Sequence, residues 1–254
     1  MRTVLAVDVG NTRVKMGLFV DGHLSARFQV PTGQARDVAF LVAQLQTTFD
    51  QWANLDACLI ASVVRGLQES VSEAIQAVWS VSPVVIRAQS DLGLVIDVPK
   101  PEGVGIDRLL EASAAFHIRN SGVVVAAFGS AITIDLVTDA GVFCGGTILP
   151  GLRTGLHALH EMTSLLPDLE VKAPEGVLGK DTAACMQAGV VYGAAGAVDR
   201  IYEELCVAAG QSLPLVVTGG DVRFIAPLLR SSYQIEEDLV LRGIIALDAR
   251  EKMR

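Results

Sequence analysis

Leu5-Ala6-Val7-Asp8-Val9-Gly10-Asn11-Thr12-Arg13-Val14-Lys15-Met16-Gly17-Leu18-Phe19 is an apolar run holding one carboxylate, a Gly-Asn-Thr turn and a second alternating run. The second run reaches Asp21-Gly22, a strong two-residue hairpin signal. A buried strand that ends in a carboxylate and a glycine turn suits phosphate binding. Glycine lets the backbone come close, N–H groups and hydroxyls meet the oxygens, and the carboxylate holds a cation or water. An ordinary buried strand with a plain hairpin reads the same way, so this stretch alone leaves both open.

A second copy decides between them. Val124-Val-Ala-Ala127-Phe128-Gly129-Ser130-Ala131-Ile132-Thr133-Ile134-Asp135-Leu-Val runs on to Ala140-Gly141. At one constant offset, near half the chain, Gly10 falls on Gly129, Asn11 on Ser130 and Gly22 on Gly141. Both copies read strand, glycine turn, strand, glycine hairpin, strand. Such internal similarity predicts duplicated architecture: two similar α/β halves, residues 1–118 and 119–254, with two facing glycine turns that hold a polyphosphate in a cleft. The overlay is unequal at one place, where Asp8 falls on Ala127.

Bulk properties narrow the class. A chain of 254 residues with 51% hydrophobic residues and mean hydropathy of +0.45 buries an extensive core. The formal net charge of -8 argues against nucleic acid and anionic membranes. The longest uncharged run, between Asp181 and Asp199, is broken by Gly189, Gly193 and Gly196 and falls short of a typical membrane span. The chain enters a strand at once, with no signal peptide expected. Cys58, Cys144, Cys185 and Cys206 form no CxxC pair and read as reduced residues of a cytoplasmic protein.

Along the chain, strands are predicted near residues 2–9, 13–20, 24–30, 58–62 and 83–86. Helices are predicted from Val38, over 67–79, and from Ile106 or Asp107 to Asn120-Ser121-Gly122, a helix-end signal. The second half repeats the three strands. It continues with a helix from Gly151 to about Leu165 and a patternless stretch from Pro167 to Gly179. A long helix capped at Asp181 or Thr182 then runs to about Ala209. A strand at 215–218, a short strand at 233–235 and a final helix from Leu239 complete it.

Three further groups bear on chemistry. Gly105-Ile106-Asp107-Arg108 opens a helix after a Pro-Gly loop. Asp107 there is placed to accept a hydroxyl proton and Arg108 to bind a carboxylate, although a capping Asp and a surface Arg fit equally. Gly145-Gly146-Thr147-Ile-Leu-Pro150-Gly151 and Thr218-Gly219-Gly220 permit close backbone approach by a ligand, and also suit ordinary turns. His157 and His160 lie three apart on a helix but lack further ligands for a metal, so a solvated helix face is the simpler reading.

The ordered set Asp8-x-Gly10-Asn11-Thr12, Gly105-x-Asp107-Arg108, Gly145-Gly-x-Ile-x-Pro150-Gly151, Gly179-x-x-Thr182-x-x-x-Met186-x-x-Gly189 and Thr218-Gly219-Gly220 resembles the type III pantothenate kinases over nearly the whole chain. The resemblance implies the duplicated fold of the acetate and sugar kinase, Hsp70 and actin superfamily, and a homodimer. It implies transfer of the γ-phosphoryl of ATP to pantothenate, the first step of coenzyme A synthesis. By residue match, Asp8, Gly10, Asn11, Thr12 and Lys15 form the first phosphate loop, with Asp8 at Mg²⁺. Gly129 and Ser130 form the second, and Gly219 and Gly220 lie by adenosine. Asp107 is the base, Gly105, Ile106 and Arg108 line the pantothenate site, and Thr182 completes that site from the partner protomer. The family pattern at the second loop is Asp-x-Gly-Thr-x-Thr-Thr. Here Ala127 removes the carboxylate expected beside the phosphates and the activating monovalent cation (K⁺ or NH₄⁺), and Ile132 lacks a hydroxyl. Asp135 shares strand parity with Ala127 but, at about 3.3 Å per residue, is expected more than about 20 Å away. The loop before Gly105 lacks a tyrosine that some members carry. Two other functions stay open: a nucleotide- or pantothenate-binding paralogue of impaired activity with a regulatory role, and a kinase of another small alcohol.

Overall fold

The computed structural model describes residues 1–52 and 54–251. They form two compact units, each an α/β sheet with its own core. Unit 1 comprises residues 1–94, 99–114 and the C-terminal segment from Leu239; unit 2 comprises 95–98 and 115–238.

In unit 1, β1 (Thr3–Val9), β2 (Arg13–Val20) and β3 (His23–Pro31) make an antiparallel meander. Strands β4 (Ala57–Ser62) and β5 (Val84–Val85) add in parallel, giving the order β3-β2-β1-β4-β5. β1 is buried at every position, as its apolar run requires. Its Leu5, Val7 and Val9 join Leu41 and Leu45 of α1 (Val38–Thr48) and Val71 and Ile75 of α2 (Gln68–Trp79) in one core. Successive strand side chains point to opposite faces, so Asp8 lies on the other face of β1.

That other face receives α7 (Leu239–Glu251), whose Leu239, Leu241, Ile244 and Leu247 are buried. Leu241 packs on Gly17, and the backbone of Gly243 approaches Leu110 of α3 (Ile106–Arg119) so closely that a Cβ would lie 2.4 Å from the Leu110 carbonyl oxygen. Arg2 Nε donates to Asp248 Oδ2 at 3.1 Å and ties α7 to the start of β1. The expected single boundary after residue 118 is therefore corrected. The division falls within α3 after Ala114, and the last helix returns to unit 1 because its apolar face is buried there.

Unit 2 repeats the meander with β7 (Val123–Phe128), β8 (Ala131–Val137) and β9 (Val142–Pro150). Strands β10 (Leu215–Thr218) and β11 (Tyr233–Ile235) add in parallel beside β7. A two-residue strand β6 (Val95–Ile96), too short to carry a period in the sequence, pairs with β9 at the far edge. One face of this sheet packs Val124, Ala126, Phe128, Ile132 and Ile134 against Val191, Ala195 and Val198 of α5 (Thr182–Ala209). Asp181 Oδ1 accepts from Ala184 N at 2.8 Å to start α5, and Gly210, at φ 70°, ends it. Helix α4 (Leu152–Glu161) stops earlier than expected. Leu165 is 91% exposed, so nothing buries the apolar residues beyond Met162 to prolong it.

The constant offset between halves holds for β1 and β7 but slips by one in β8. Val9 pairs with Val14 across the first glycine turn, whereas Phe128 pairs with Ile132 across the second, which is one residue shorter. The hairpin after β8 returns the residue, and β9 resumes the original offset.

Candidate active site

Each glycine turn stands at the C-terminal end of its sheet's central strand, where ligands of α/β folds bind. In unit 1, Gly10 N donates to Arg13 O at 3.1 Å, and Thr32 N donates to Thr12 O at 3.0 Å. Thr32 Oγ1 also donates to Gly10 O at 2.7 Å. Thr32 is buried just past β3 and clamps the turn. No motif marks it in the sequence, because its role depends on the register of β2 with β3. Asn11 and Thr12 remain exposed.

Asp8 is 8% exposed and pairs in register with Lys15 on β2. Burial pushes its carboxyl up to about 6; the Lys15 ammonium works against that rise, and the nearby Asp107 charge adds to it. Thus Asp107, distant in sequence, shares one neighbourhood with Asp8 and Lys15 within unit 1. Asp107 sits in the first turn of α3, where its Oδ1 accepts from Arg108 N at 2.9 Å. Asp107 thus satisfies the Arg108 N–H at the start of the helix through Oδ1, and Oδ2 takes no part in that bond. Arg108 is half-buried. Ile106 buries its side chain at 8% exposure, which leaves the side chain closed to a ligand.

In unit 2 the second turn is built from backbone contacts. Gly129 N donates to Ala131 O at 3.0 Å. Gly151 N and Thr154 Oγ1 both donate to Ser130 O, at 3.1 and 2.7 Å, docking the start of α4 on the turn. Gly219 has φ 102°, and a Cβ there would lie 2.3 Å from Phe128 O. The structure thereby gathers Gly129, Ser130, Gly151, Gly219 and Gly220 at one end of β7 and β10. Gly129, Ser130 and Gly220 are exposed there.

Ala127 occupies in β7 the place of Asp8 in β1. It is 9% exposed, with Thr133 opposite on β8 and Thr218 beside it on β10. The expected remoteness of Asp135 is corrected by the register. Asp135 pairs with Val125, and Ala127 with Thr133, so Asp135 is a diagonal neighbour of Ala127, at about 7–8 Å. Counting residues along an extended chain fails because the turn folds β8 back on β7. Asp135 is 2% exposed, and its carboxylate lies against Gly146, where a Cβ would come 2.6 Å from Oδ1.

Thr182 is exposed at the first position of α5. The segment Asp168–Asp181 leading to it lines, with Ala184 and Gln187, a cavity of about 590 Å³. His160 is engaged in structure, its Nδ1 2.7 Å from Leu166 O. Among the described residues no group of three His, Cys, Asp or Glu stands ready for a metal. Asp8 fits a magnesium ion that takes its remaining ligands from phosphate and water, since a buried carboxylate destabilised as an anion is relieved by a cation. The methyl of Ala127 offers no ligand to a monovalent cation; Thr133 and Thr218 beside it offer hydroxyls, and the Asp135 carboxylate stands a diagonal step away, at about 7–8 Å.

Two sheets on one plan, each with a glycine turn at the end of its central strand, define the duplicated actin-like fold shared with sugar kinases. The chain belongs to the type III pantothenate kinase family, whose sequence pattern matches residues 4–204. A type III pantothenate kinase of Agathobacter rectalis is 33% identical over 249 residues, covering 95% of each chain. One of Myxococcus xanthus is 34% identical over 246 residues, covering 95% of this chain and 96% of its own. Among solved structures, a Campylobacter jejuni protein described as a Baf family transcriptional activator superposes with TM-score 0.62 and 22% identity, covering 98% of this chain and 100% of its own. An inorganic polyphosphate/ATP-glucomannokinase from Arthrobacter gives 0.51 and 17%, over 98% and 100%. At such identities these two structures speak for the fold alone.

The raised pKa of Asp8 has a signed consequence. Between about pH 4 and 6 the native state holds a proton that the unfolded state has released, so stability falls as pH rises through that window, and the cost is fully present above it. The Asp8→Asn protein, free of divalent cation, is expected to be more stable than wild type at pH 7.5, by an amount on the order of 1–3 kcal/mol, and to lose this pH slope. Urea unfolding from pH 4.5 to 8 measures both; equal slopes for the two proteins would refute the assignment.

Proposed function

We propose that the chain transfers the γ-phosphoryl group of ATP to the hydroxyl of pantothenate, giving 4'-phosphopantothenate, the first step of coenzyme A synthesis. The observation that supports this most is the convergence of Asp8, Lys15 and Asp107 within unit 1 of a chain of this family. Asp107 accepts the hydroxyl proton through Oδ2 as the substrate oxygen bonds to the γ-phosphorus. The bond to the β,γ-bridging oxygen breaks and ADP leaves. Gly105, Ile106 and Arg108 hold pantothenate, Arg108 by its carboxylate. The N–H groups and side chains of Gly10, Asn11 and Thr12, with Lys15, bind the phosphates, as do Gly129 and Ser130; Gly219 and Gly220 lie by adenosine. Magnesium, held by Asp8, supplies charge neutralisation when bound. Phosphoryl transfer needs chiefly positioning and neutralised charge. Asp107→Asn is expected to keep the fold and substrate binding and to lower kcat by on the order of a hundredfold or more. Unchanged turnover would leave Asp107 a cap only.

We also propose a cytoplasmic homodimer. Gly189, Gly193 and Gly196 are exposed on α5, with open space where their Cβ atoms would stand. Met162, Leu165, Val177 and Leu178 are exposed in the same unit. No helix among the described residues is long and apolar enough to cross a membrane. Thr182, at the start of α5, would complete the partner's pantothenate site. Sedimentation at micromolar concentration is expected to give twice the 26.8 kDa chain mass; a monomer alone would exclude this.

Ala127 favours a second reading, a paralogue that binds its ligands but turns over weakly. One preorganised group facing transition-state charge is worth about 2.7–4 kcal/mol, and position 127 lacks it. Ala127→Asp is expected to raise kcat and to create a dependence on potassium or ammonium. At a position this buried the new carboxylate also lowers stability in the absence of a cation. Steady-state kinetics of both forms with potassium, ammonium or choline, on pantothenate and on other small alcohols, checks the claim. Equal rates and equal cation response would make Ala127 a neutral difference.

A further inference from the structure

Gly105 stands immediately before α3. Its φ is not positive, so its backbone conformation is open to any residue. What the position does not permit is a Cβ, which would lie 2.5 Å from Asp107 Oδ1. The next atoms, Asp107 Cγ and Val63 Cγ1, are at 3.6 and 3.9 Å, within ordinary contact. The one obstacle is thus the same carboxylate oxygen that accepts from Arg108 N. The neighbouring Gly103 differs: a Cβ there meets nothing nearer than Lys100 Cβ at 3.9 Å.

We infer that Gly105 is a positioning residue: its missing side chain is the space into which Asp107 folds, and this fixes which carboxylate oxygen faces the substrate. The inference rests on the proposal that Asp107 is the base. With Oδ1 laid over Gly105 and held by the Arg108 N–H, the side chain has one orientation and Oδ2 is the oxygen left for the hydroxyl proton. A methyl at 105 pushes Oδ1 away, breaks the Arg108 bond and turns the carboxylate. Because the yielding atom is the end of a side chain and not backbone, the fold absorbs the change.

The test compares Gly105→Ala, Gly105→Ser, Asp107→Ala, the Gly105→Ala/Asp107→Ala pair and a Gly103→Ala control. The first readout is the Arg108 amide resonance in the ligand-free protein, which needs no activity. It is expected to move in Gly105→Ala as far as in Asp107→Ala, and to stay in place in Gly103→Ala. The second is kinetic. Gly105→Ala is expected to lower kcat by on the order of a hundredfold, a loss that a misplacement near 1 Å can cause. In the Asp107→Ala background the same change is expected to cost nothing further. Gly105→Ser restores a good helix cap but carries the same Cβ, so it stays impaired if position matters and recovers if capping does. An unmoved Arg108 amide, additive losses, or recovery in Gly105→Ser would overturn the inference. Were the wild type inactive on pantothenate, the functional reading would fall while the amide resonance still decided the orientation of Asp107.

Discussion

Backbone resting directly on backbone holds the second glycine turn in place. Gly219 lies on Phe128, and Gly151 on the Gly129 and Ser130 carbonyls, at separations no side chain survives. Real Cβ atoms do not approach other atoms within 3 Å, so each glycine here is imposed by crowding. At Gly219 the positive φ adds a second reason. Three elements distant in sequence, the end of β7, the start of α4 and the turn after β10, are thereby locked at one point. Unit 1 reaches the same end by hydrogen bonds from Thr32 to the Gly10-Asn11-Thr12 turn. The two halves share a plan without sharing the contacts that enforce it.

They also differ in charge. At matched places in the central strands stand Asp8, a carboxylate destabilised by burial, and Ala127, which is neutral between two threonines. A buried carboxylate lowers folding stability unless a proton, an ammonium or a metal ion answers it. Asp8 in unit 1 carries that cost in the absence of a metal ion. At position 127 of unit 2 there is no carboxylate to carry that cost.

The strand pattern was legible in the sequence in some detail. Apolar and alternating runs bounded by glycine turns marked the six strands of the two meanders, and Asp181 marked the start of α5. Register was less legible. The overlay of the halves succeeds at Asp8 and Ala127 but misplaces β8, where Thr133 and not Ile134 stands in the place of Lys15. A turn shortened by one residue and a hairpin lengthened to match leave the flanking glycines aligned, so the slip between them is silent. The same folding back brings Asp135 near Ala127 in spite of its distance along the chain.

The sequence by itself determined the elements, their order, the duplication and the residue types available for chemistry. These follow from short-range rules: alternation across a strand, periodicity around a helix, and the conformational range of glycine. Only the tertiary structure decided that Asp107 lies near Asp8 and Lys15, that α7 belongs to the first unit, that Thr32 clamps the first turn, and that Gly105 is empty space for a carboxylate. The last is a local matter of how one side chain folds; the others join residues separated by whole elements. Such contacts depend on sheet order and helix packing, which the local periods of the chain do not encode.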